Sequence, residues 1–424
     1  MKKYFIYLAF AAIGLLWSCS SDDDGLKTDV PPAEGEEVEE IIDVEFAHPV
    51  ATVSYLDLTP EQTAAISGYN ELGWKTFESL LNADPDMNHA ISPVSINSAL
   101  SLSASIEDDS NGRRQLLKCL GFEDADALDD FNQQLLSFLP SESNGVDLSL
   151  ANSLWVSNIY TPAADLVKSV GERFGATVQS VDFNDPRTVS LINAWINDYT
   201  RGRIPSIVDH FASDAEFCIA NALYLKGDWE TAFDEKKTYK GVFNGTSSRN
   251  DVDYMEGKME VKYGESESFK MASLPFKGEK IVMDLVLPKN GENLAFEDYN
   301  SLCNDAFTDS VMITMPKFEF TPNYSDIANV LFNLGVPKSD HYFSQLGFGE
   351  NQERNINQII HKLFVSVSET GAEAAAGTIV IWGGSIDYPA MDPFKSLSLT
   401  KPFYFVIREV NHNIILAVGH IANL

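Results

Sequence analysis

Apolar residues recur at helical spacing through the first half of the chain and at strand spacing, or in short unbroken runs, through the second. Thr59-Pro60-Glu61-Gln62 combines an N-cap residue with proline at the first helical position and predicts a helix to about Leu81. Ser92-Pro93 repeats the signal ahead of Ile96, Leu100 and Ile106. Further helical patterns cover about 112–120, 125–139, 163–174 and 188–200, the last carrying Trp195 and Ile196. Strand patterns then take over at Phe217 to Leu225, Lys280 to Leu287, Val311 to Phe320, His361 to Ser368, Phe403 to Arg408 and Ile414 to Ile421, interrupted by one helix at about 324–335. Helices followed by mostly antiparallel strands, with no regular βαβ alternation, predict an α+β fold. No internal repeat or second boundary within the folded part is visible.

One segment fits neither pattern. Of the fourteen residues from Ala372 to Ser385 only Glu373 is charged, small residues fill the first half, and Thr378-Ile-Val-Ile-Trp382 fills the second. It follows the apparent strand ending at Ser368 and reads as a strand without a sheet. Taken alone, the stretch Glu369 to Thr378 also suits a flexible Ala/Gly linker.

Composition changes the picture in two places. With 424 residues, 44% of them hydrophobic, the chain can bury a large core in one or two domains. A formal charge of −32, with 30 Lys and Arg in no basic run, excludes nucleic-acid binding through phosphate neutralisation. Residues 20–45 hold eleven Asp or Glu against one Lys, a solvated tether. Ahead of it, Lys2-Lys3, an apolar run from Tyr4 to Leu16 and Leu16-Trp-Ser-Cys19 predict a signal peptide, too short to span a membrane. A small residue before cysteine resembles a lipobox, with Cys19 lipidated, and the following Ser-Ser-Asp-Asp-Asp resembles the export signal of Bacteroidetes surface lipoproteins; the other reading is a secreted protein that discards Cys19. The expected organisation is 1–18 signal peptide, 19–50 acidic tether and 51–424 folded domain, held at the cell envelope, on the outer surface, by an N-terminal lipid alone.

Three cysteines remain, Cys119, Cys218 and Cys303, too few and too widely spaced for a disulfide framework, and buried free thiols are expected. The seven histidines show no metal-ligand spacing, and there is no G-x-S-x-G, P-loop, C-x-x-C or H-E-x-x-H. No metal, cofactor or catalytic group is expected, although a discontinuous Ser/His/Asp hydrolase site has no local signature to betray it.

From about Val53 to Leu424 the chain resembles the serpins, and many blocks in the right order carry the resemblance. They are His89-Ala-Ile-Ser-Pro-Val-Ser-Ile96, Cys218-Ile-Ala-Asn-Ala-Leu-Tyr-Leu-Lys-Gly-Asp-Trp-Glu-Thr-Ala-Phe233, Leu274-Pro-Phe-Lys-Gly278, Met315-Pro-Lys-Phe318, Ile359-Ile-His-Lys362 and Lys401-Pro-Phe403. The resemblance implies three β-sheets, about nine helices and an exposed reactive-centre loop. A target endopeptidase would cut that loop, form a covalent acyl-enzyme and be dragged away as the loop enters the main sheet as a new strand. The protein would be a monomeric inhibitor and not an enzyme. The runner-up reading is a non-inhibitory serpin acting as a binding or substrate protein.

The same resemblance assigns residues. Glu369, Gly371, Ala372, Glu373, Ala374, Ala375 and Ala376 match the loop hinge, Ser92, Ser95, Asn221 and His361 the shutter beneath the sheet centre, and Trp229 the breach where the loop first enters. Counting from Glu369 places the reactive bond between Ser385 and Ile386, with Ile381, Trp382 and Tyr388 as alternatives suited to elastase-like, chymotrypsin-like or subtilisin-like enzymes; cysteine proteases are a further target class. No Lys or Arg lies between Gly371 and Pro393, against trypsin-like targets. The segment Ser385 to Lys401 is longer than the family pattern, and the C-terminus lacks its usual arginine and final proline. In an inserted strand Ala372, Ala374, Ala376, Thr378, Val380 and Trp382 would share one face and leave Glu373 on the other, where water reaches it.

Overall fold

A computed structural model describes residues 53–372 and 395–424, apart from 109, 142–143, 213, 325, 339–340, 350–353 and 355–358. Cys19 and the tether lie outside the described residues, as do Glu373, Ala374, Ala375, Ala376, Ile381, Trp382, Ser385, Ile386 and Tyr388.

Eight α-helices stand among the described residues: α1 (Pro60–Ala83), α2 (Pro93–Ile106), α3 (Ser110–Cys119), α4 (Ala125–Phe138), α5 (Ala164–Phe174), α6 (Pro186–Tyr199), α7 (Phe296–Asp305) and α8 (Ala328–Asn333). The N-terminal signals act as the sequence predicts. Thr59 and Gln62 form a reciprocal capping box on α1, and the Ser92 hydroxyl accepts from the Ser95 amide to start α2. Nearly all of α2 is buried, including Ser95, Ser98, Ser101 and Ser103, and so is its cap Ser92. A helix enclosed on all sides needs small side chains for close approach and a partner for each hydroxyl, and serine supplies both: Ser101 donates back to Asn97 O at 2.7 Å.

Three sheets organise the strands. The largest runs β1 (His89–Ile91), β17 (Ile415–Ile421), β16 (Phe403–Glu409), β8 (Ile281–Pro288), β7 (Phe269–Pro275), β6 (Arg249–Glu265), β9 (Phe307–Pro316) and β15 (Lys395–Ser398), with β5 (Tyr239–Asn244) also on β6. The second runs β10 (Phe318–Phe320), β13 (Val365–Val367), β14 (Gly371–Ala372), β4 (Phe217–Asp228), β2 (Val146–Ser157) and β3 (Thr177–Val181). A two-stranded ribbon joins β11 (Asn323–Tyr324) to β12 (His361–Lys362). Pairing is antiparallel except for β2 with β3 and β9 with β15.

Several expectations need correction. The strand expected over His361 to Ser368 is two pieces, β12 and β13, because Leu363 leaves the ribbon to make an isolated parallel bridge with Leu223 of β4. The strand expected from Val311 to Phe320 starts four residues earlier and breaks at Lys317. The helix expected at 324–335 is only Ala328–Asn333, since Tyr324 belongs to β11. Cys119, Cys218 and Cys303 are free, but each is half-buried instead of fully enclosed.

Candidate functional site

Strand β4 is paired with β2 along almost its whole length, from Phe217↔Val156 to Gly227↔Val146. Its other edge is different. Gly371 pairs with Asp228 and Ala372 with Gly227, while Ala372 also pairs with Val367 of β13. Two hinge residues thus already form the first rungs of a strand between β4 and β13. Below them the flanking strands meet directly at the Leu223–Leu363 bridge.

The hinge is held from three sides. The Trp229 indole donates to Ser368 O at 2.9 Å and stacks on Phe276 at 4.8 Å between centroids, and its backbone amide donates to Thr370 O at 2.8 Å. The Phe233 amide donates to Glu369 O at 2.9 Å. The Glu369 carboxylate accepts from Thr238 Oγ1 at 2.7 Å and pairs with Lys317 Nζ at 2.9 Å. Burial alone would raise the Glu369 pKa, but the bonds from Lys317 and Thr238 outweigh it and hold the carboxyl below its ordinary value. Gly371 is required by close approach: a Cβ there would lie 1.9 Å from Gly227 O. Ala372, 4% exposed, is the last described residue of the hinge and already faces inward.

The four residues matched to the shutter come together under the sheet centre. The Ser92 amide donates to His361 Nε2 at 3.0 Å, and the Ser92 hydroxyl donates to Leu416 O at 2.7 Å, tying α2 to β12 and to β17. Ser95 Oγ donates to Asn221 Oδ1 on β4. Asn221 Nδ2 in turn donates to Asn152 Oδ1 of β2, which also accepts from Ser98 Oγ at 3.1 Å. An Nε2 that accepts an amide proton belongs to neutral imidazole, and burial pushes the His361 pKa down to about 4. Ser92, Ser95, Ser98, Asn152 and Asn221 each have a partner in this chain of contacts, so the sheet centre is closed by hydrogen bonds that a separating pair of strands would have to give up.

Of the residues named from the resemblance, the structure brings together Ser92, Ser95, Asn221 and His361, and sets Trp229 against the segment of Glu369, Gly371 and Ala372; the sequence reading did not name Asn152, Thr238, Lys317 or Phe276. Asn152 lies in β2, whose alternation at Val146, Leu148 and Leu150 is the available signal; its later residues are buried on both faces. Thr238 and Lys317 are reached only through tertiary contact with Glu369, and no local pattern marks them.

Residues 67–424 match the family model described as Serpin (serine protease inhibitor). An uncharacterized serpin-like protein of Thermococcus kodakarensis is 28% identical over 89% of this chain and 91% of its own. Intracellular coagulation inhibitor 2 of Tachypleus tridentatus is 28% identical over 84% of this chain and 90% of its own. Among solved structures, a thermophilic serpin, tengpin, in the native state superposes with a TM-score of 0.75 at 25% identity, covering 90% of this chain and all of that one.

Proposed function

The chain belongs to the serpin family, and on that premise we propose that it is a suicide inhibitor of serine endopeptidases, with cysteine endopeptidases as a further class of target. The supporting observation is the half-made strand: Gly371 pairs with β4 and Ala372 with both β4 and β13, while among the described residues β4 meets the other flank below them at the Leu223–Leu363 bridge. A protease serine attacks the carbonyl carbon of the scissile residue, the C–N bond breaks, and the new amine leaves with a proton. The acylated loop is then free to continue the strand begun at Gly371. A new strand of about ten residues gains backbone hydrogen bonds worth roughly 1 kcal/mol net each, on the order of 10 kcal/mol, which is available to drag and distort the acyl-enzyme before water releases it. Ser92, Ser95, Asn221 and His361 act as the closure that must yield, and Trp229 positions the hinge. The reactive bond is Ser385–Ile386, and elastase-like, chymotrypsin-like or subtilisin-like enzymes are the targets. Lipid on Cys19 would hold a monomeric inhibitor at the cell surface.

Mixing the full chain with proteases of these classes tests the reading. A denaturant-resistant complex of about one inhibitor per enzyme is expected. Clean cleavage without complex would favour the non-inhibitory alternative. Ala372→Glu puts an unpaired charge at a buried rung, at a cost of several kcal/mol, and should turn the inhibitor into a substrate; undiminished inhibition by that variant would sink the insertion step.

A further inference from the structure

Two buried histidines face each other at the edge of the nine-stranded sheet. His89 of β1 and His420 of β17 are directly opposite in the antiparallel register, 5% and 7% exposed. Such a pair shares one face of the sheet, with Cβ atoms about 5 Å apart. The His89 ring is fully engaged in its neutral form. Its Nε2 lies 2.7 Å from Asp84 O, which can only accept, so Nδ1, 3.0 Å from Tyr324 Oη, is left to accept. The His420 ring packs on that of Tyr404 at 4.6 Å between centroids, and its Nδ1 is buried without a partner. Whichever nitrogen carries the proton in neutral His420, the cation must place a donor at Nδ1, where no acceptor waits. Burial first, then His89, bring the His420 pKa down to about 4.

This edge is joined to the slot between β4 and the β12–β13 segment. The Tyr324 ring lies nearly parallel to that of His89, 6.1 Å away, and to that of His361, 6.4 Å away. β1 runs straight into Ser92, whose amide donates to His361 Nε2 and whose hydroxyl donates to Leu416 O on the strand of His420. Three histidines from three strands therefore meet around one tyrosine and one helix cap. A proton on His361 removes the acceptor of the Ser92 amide, and a proton on His420 sets a charge against β1, which leads into that same cap. Among the described residues no carboxylate hydrogen-bonds or ion-pairs with any of the three rings. Asp84 offers its backbone carbonyl, Glu78 acts on Tyr404, whose pKa is raised to about 12, and the Lys362 ammonium turns to Ser206 O.

We propose that His89, His361 and His420 form an acid-operated latch, in which proton uptake at the β1–β17 edge and at the slot drives one joint opening. The slot stays shut near neutrality and gives way in acid. The latch belongs to the uncut chain and stands apart from the inhibitor reading. His361 and His420 both titrate near 4 when folded, against an ordinary 6.5. The stability they supply is therefore complete above pH 6.5, falls as pH drops, and is lost by about pH 4. Within that window each adds up to one proton on opening, about a tenfold change in the opening equilibrium per pH unit.

Amide exchange of the full chain between pH 4.5 and 6, corrected for the intrinsic rate, reads the slot through the peptide 361–367. If the opening is joint, exchange there should rise about a hundredfold per pH unit lowered. His420→Gln, on a different strand, should cut that to about tenfold, and the double variant with His361→Gln should be nearly flat. His420→Phe repeats the test with a ring suited to the Tyr404 contact: melting at pH 7.5 should hold, and the acid slope should fall equally. Exchange in β8 should keep its own slope in all of these proteins. A slot slope that both His420 variants leave unchanged would overturn the latch, with His361 acting alone. A slope of tenfold or less per pH unit in the unaltered protein would overturn it without any variant, and so would β8 amides that follow the slot, because the opening would then be global unfolding.

Discussion

The two large sheets use the same kind of strand and differ in how completely those strands are joined. In the nine-stranded sheet, β16 is paired with β17 on one side and β8 on the other, and all seven of its residues are buried. In the six-stranded sheet, β4 is equally well paired with β2, but among the described residues its other edge is paired only at Leu223, Gly227 and Asp228. Unmet strand edges are a liability that folds ordinarily cover. Here the gap runs through the middle of a sheet and is bridged by side chains, Asn221 and His361 through α2, where backbone would be the stronger choice. On the proposed reading, the joined sheet would carry global stability and the incomplete one would take the additional strand beside β4.

A cavity in the joined sheet should break stability without touching inhibition. Phe405 is fully buried, with its ring 5.9 Å from that of Phe318, and Phe405→Ala is expected to cost about 4 kcal/mol in denaturant unfolding while leaving the inhibitor-to-enzyme ratio unchanged. A large change in that ratio would mean the two sheets are not separable in this way.

Acid should act on the incomplete sheet next most strongly. The His361 pKa is about 4 in the folded protein against the ordinary 6.5, so between these values the unfolded chain binds a proton that the folded chain refuses. Stability from this residue is complete above pH 6.5, falls as pH drops, and the loss levels off near pH 4 at about 3 kcal/mol. Protonation also removes the acceptor of the Ser92 amide, so the slot itself should loosen. His361→Gln keeps an acceptor and cannot titrate. It should shrink the fall in stability measured by unfolding at pH 7 and pH 4.5; an unchanged slope would assign the effect elsewhere, such as His420 in β17, which burial and His89 also bring down to about 4.

The contrast between the sheets also explains what the sequence disclosed. β16, β17 and β8 are short, dense apolar runs because both faces are buried, and such runs stand out locally. The strands β5, β6 and β7 did not stand out: β6 spans Arg249–Glu265 with one face in solvent and charged residues at most outward positions. Ser92, Asn221 and His361 were named together through motif resemblance, since nothing in their spacing along the chain brings them together. Their convergence is tertiary. So is the partial pairing of Gly371 and Ala372, which depends on a register between segments more than 140 residues apart.

Asn221 sharpens the comparison at smaller scale. Asn221→Ala leaves Ser95 Oγ without its acceptor and Asn152 Oδ1 without one of its donors in a buried site, a cost of about 2 kcal/mol. Unlike Phe405→Ala, this loss falls on the closure of the slot, so the variant should convert to an inserted or self-associated form on mild heating well before it unfolds. Size-exclusion chromatography after incubation reads the outcome, and a variant that stays monomeric until it melts would remove Asn221 from the closure.

Lys317→Ala is the mildest of these changes and the most local. Lys317 is partly exposed and its carboxylate partner is nearly covered, so the pair contributes about 1 kcal/mol, reduced by salt. Thr238 still holds the other Glu369 oxygen, and Trp229 still clasps Ser368 and Thr370, so the hinge should loosen without letting go. Amide exchange at Gly371 and Ala372 is expected to speed up about fivefold at low salt, with amides of β16 unaffected. If β16 amides accelerate equally, the hinge and the joined sheet open together, and the division of labour between the two sheets fails at its most sensitive point.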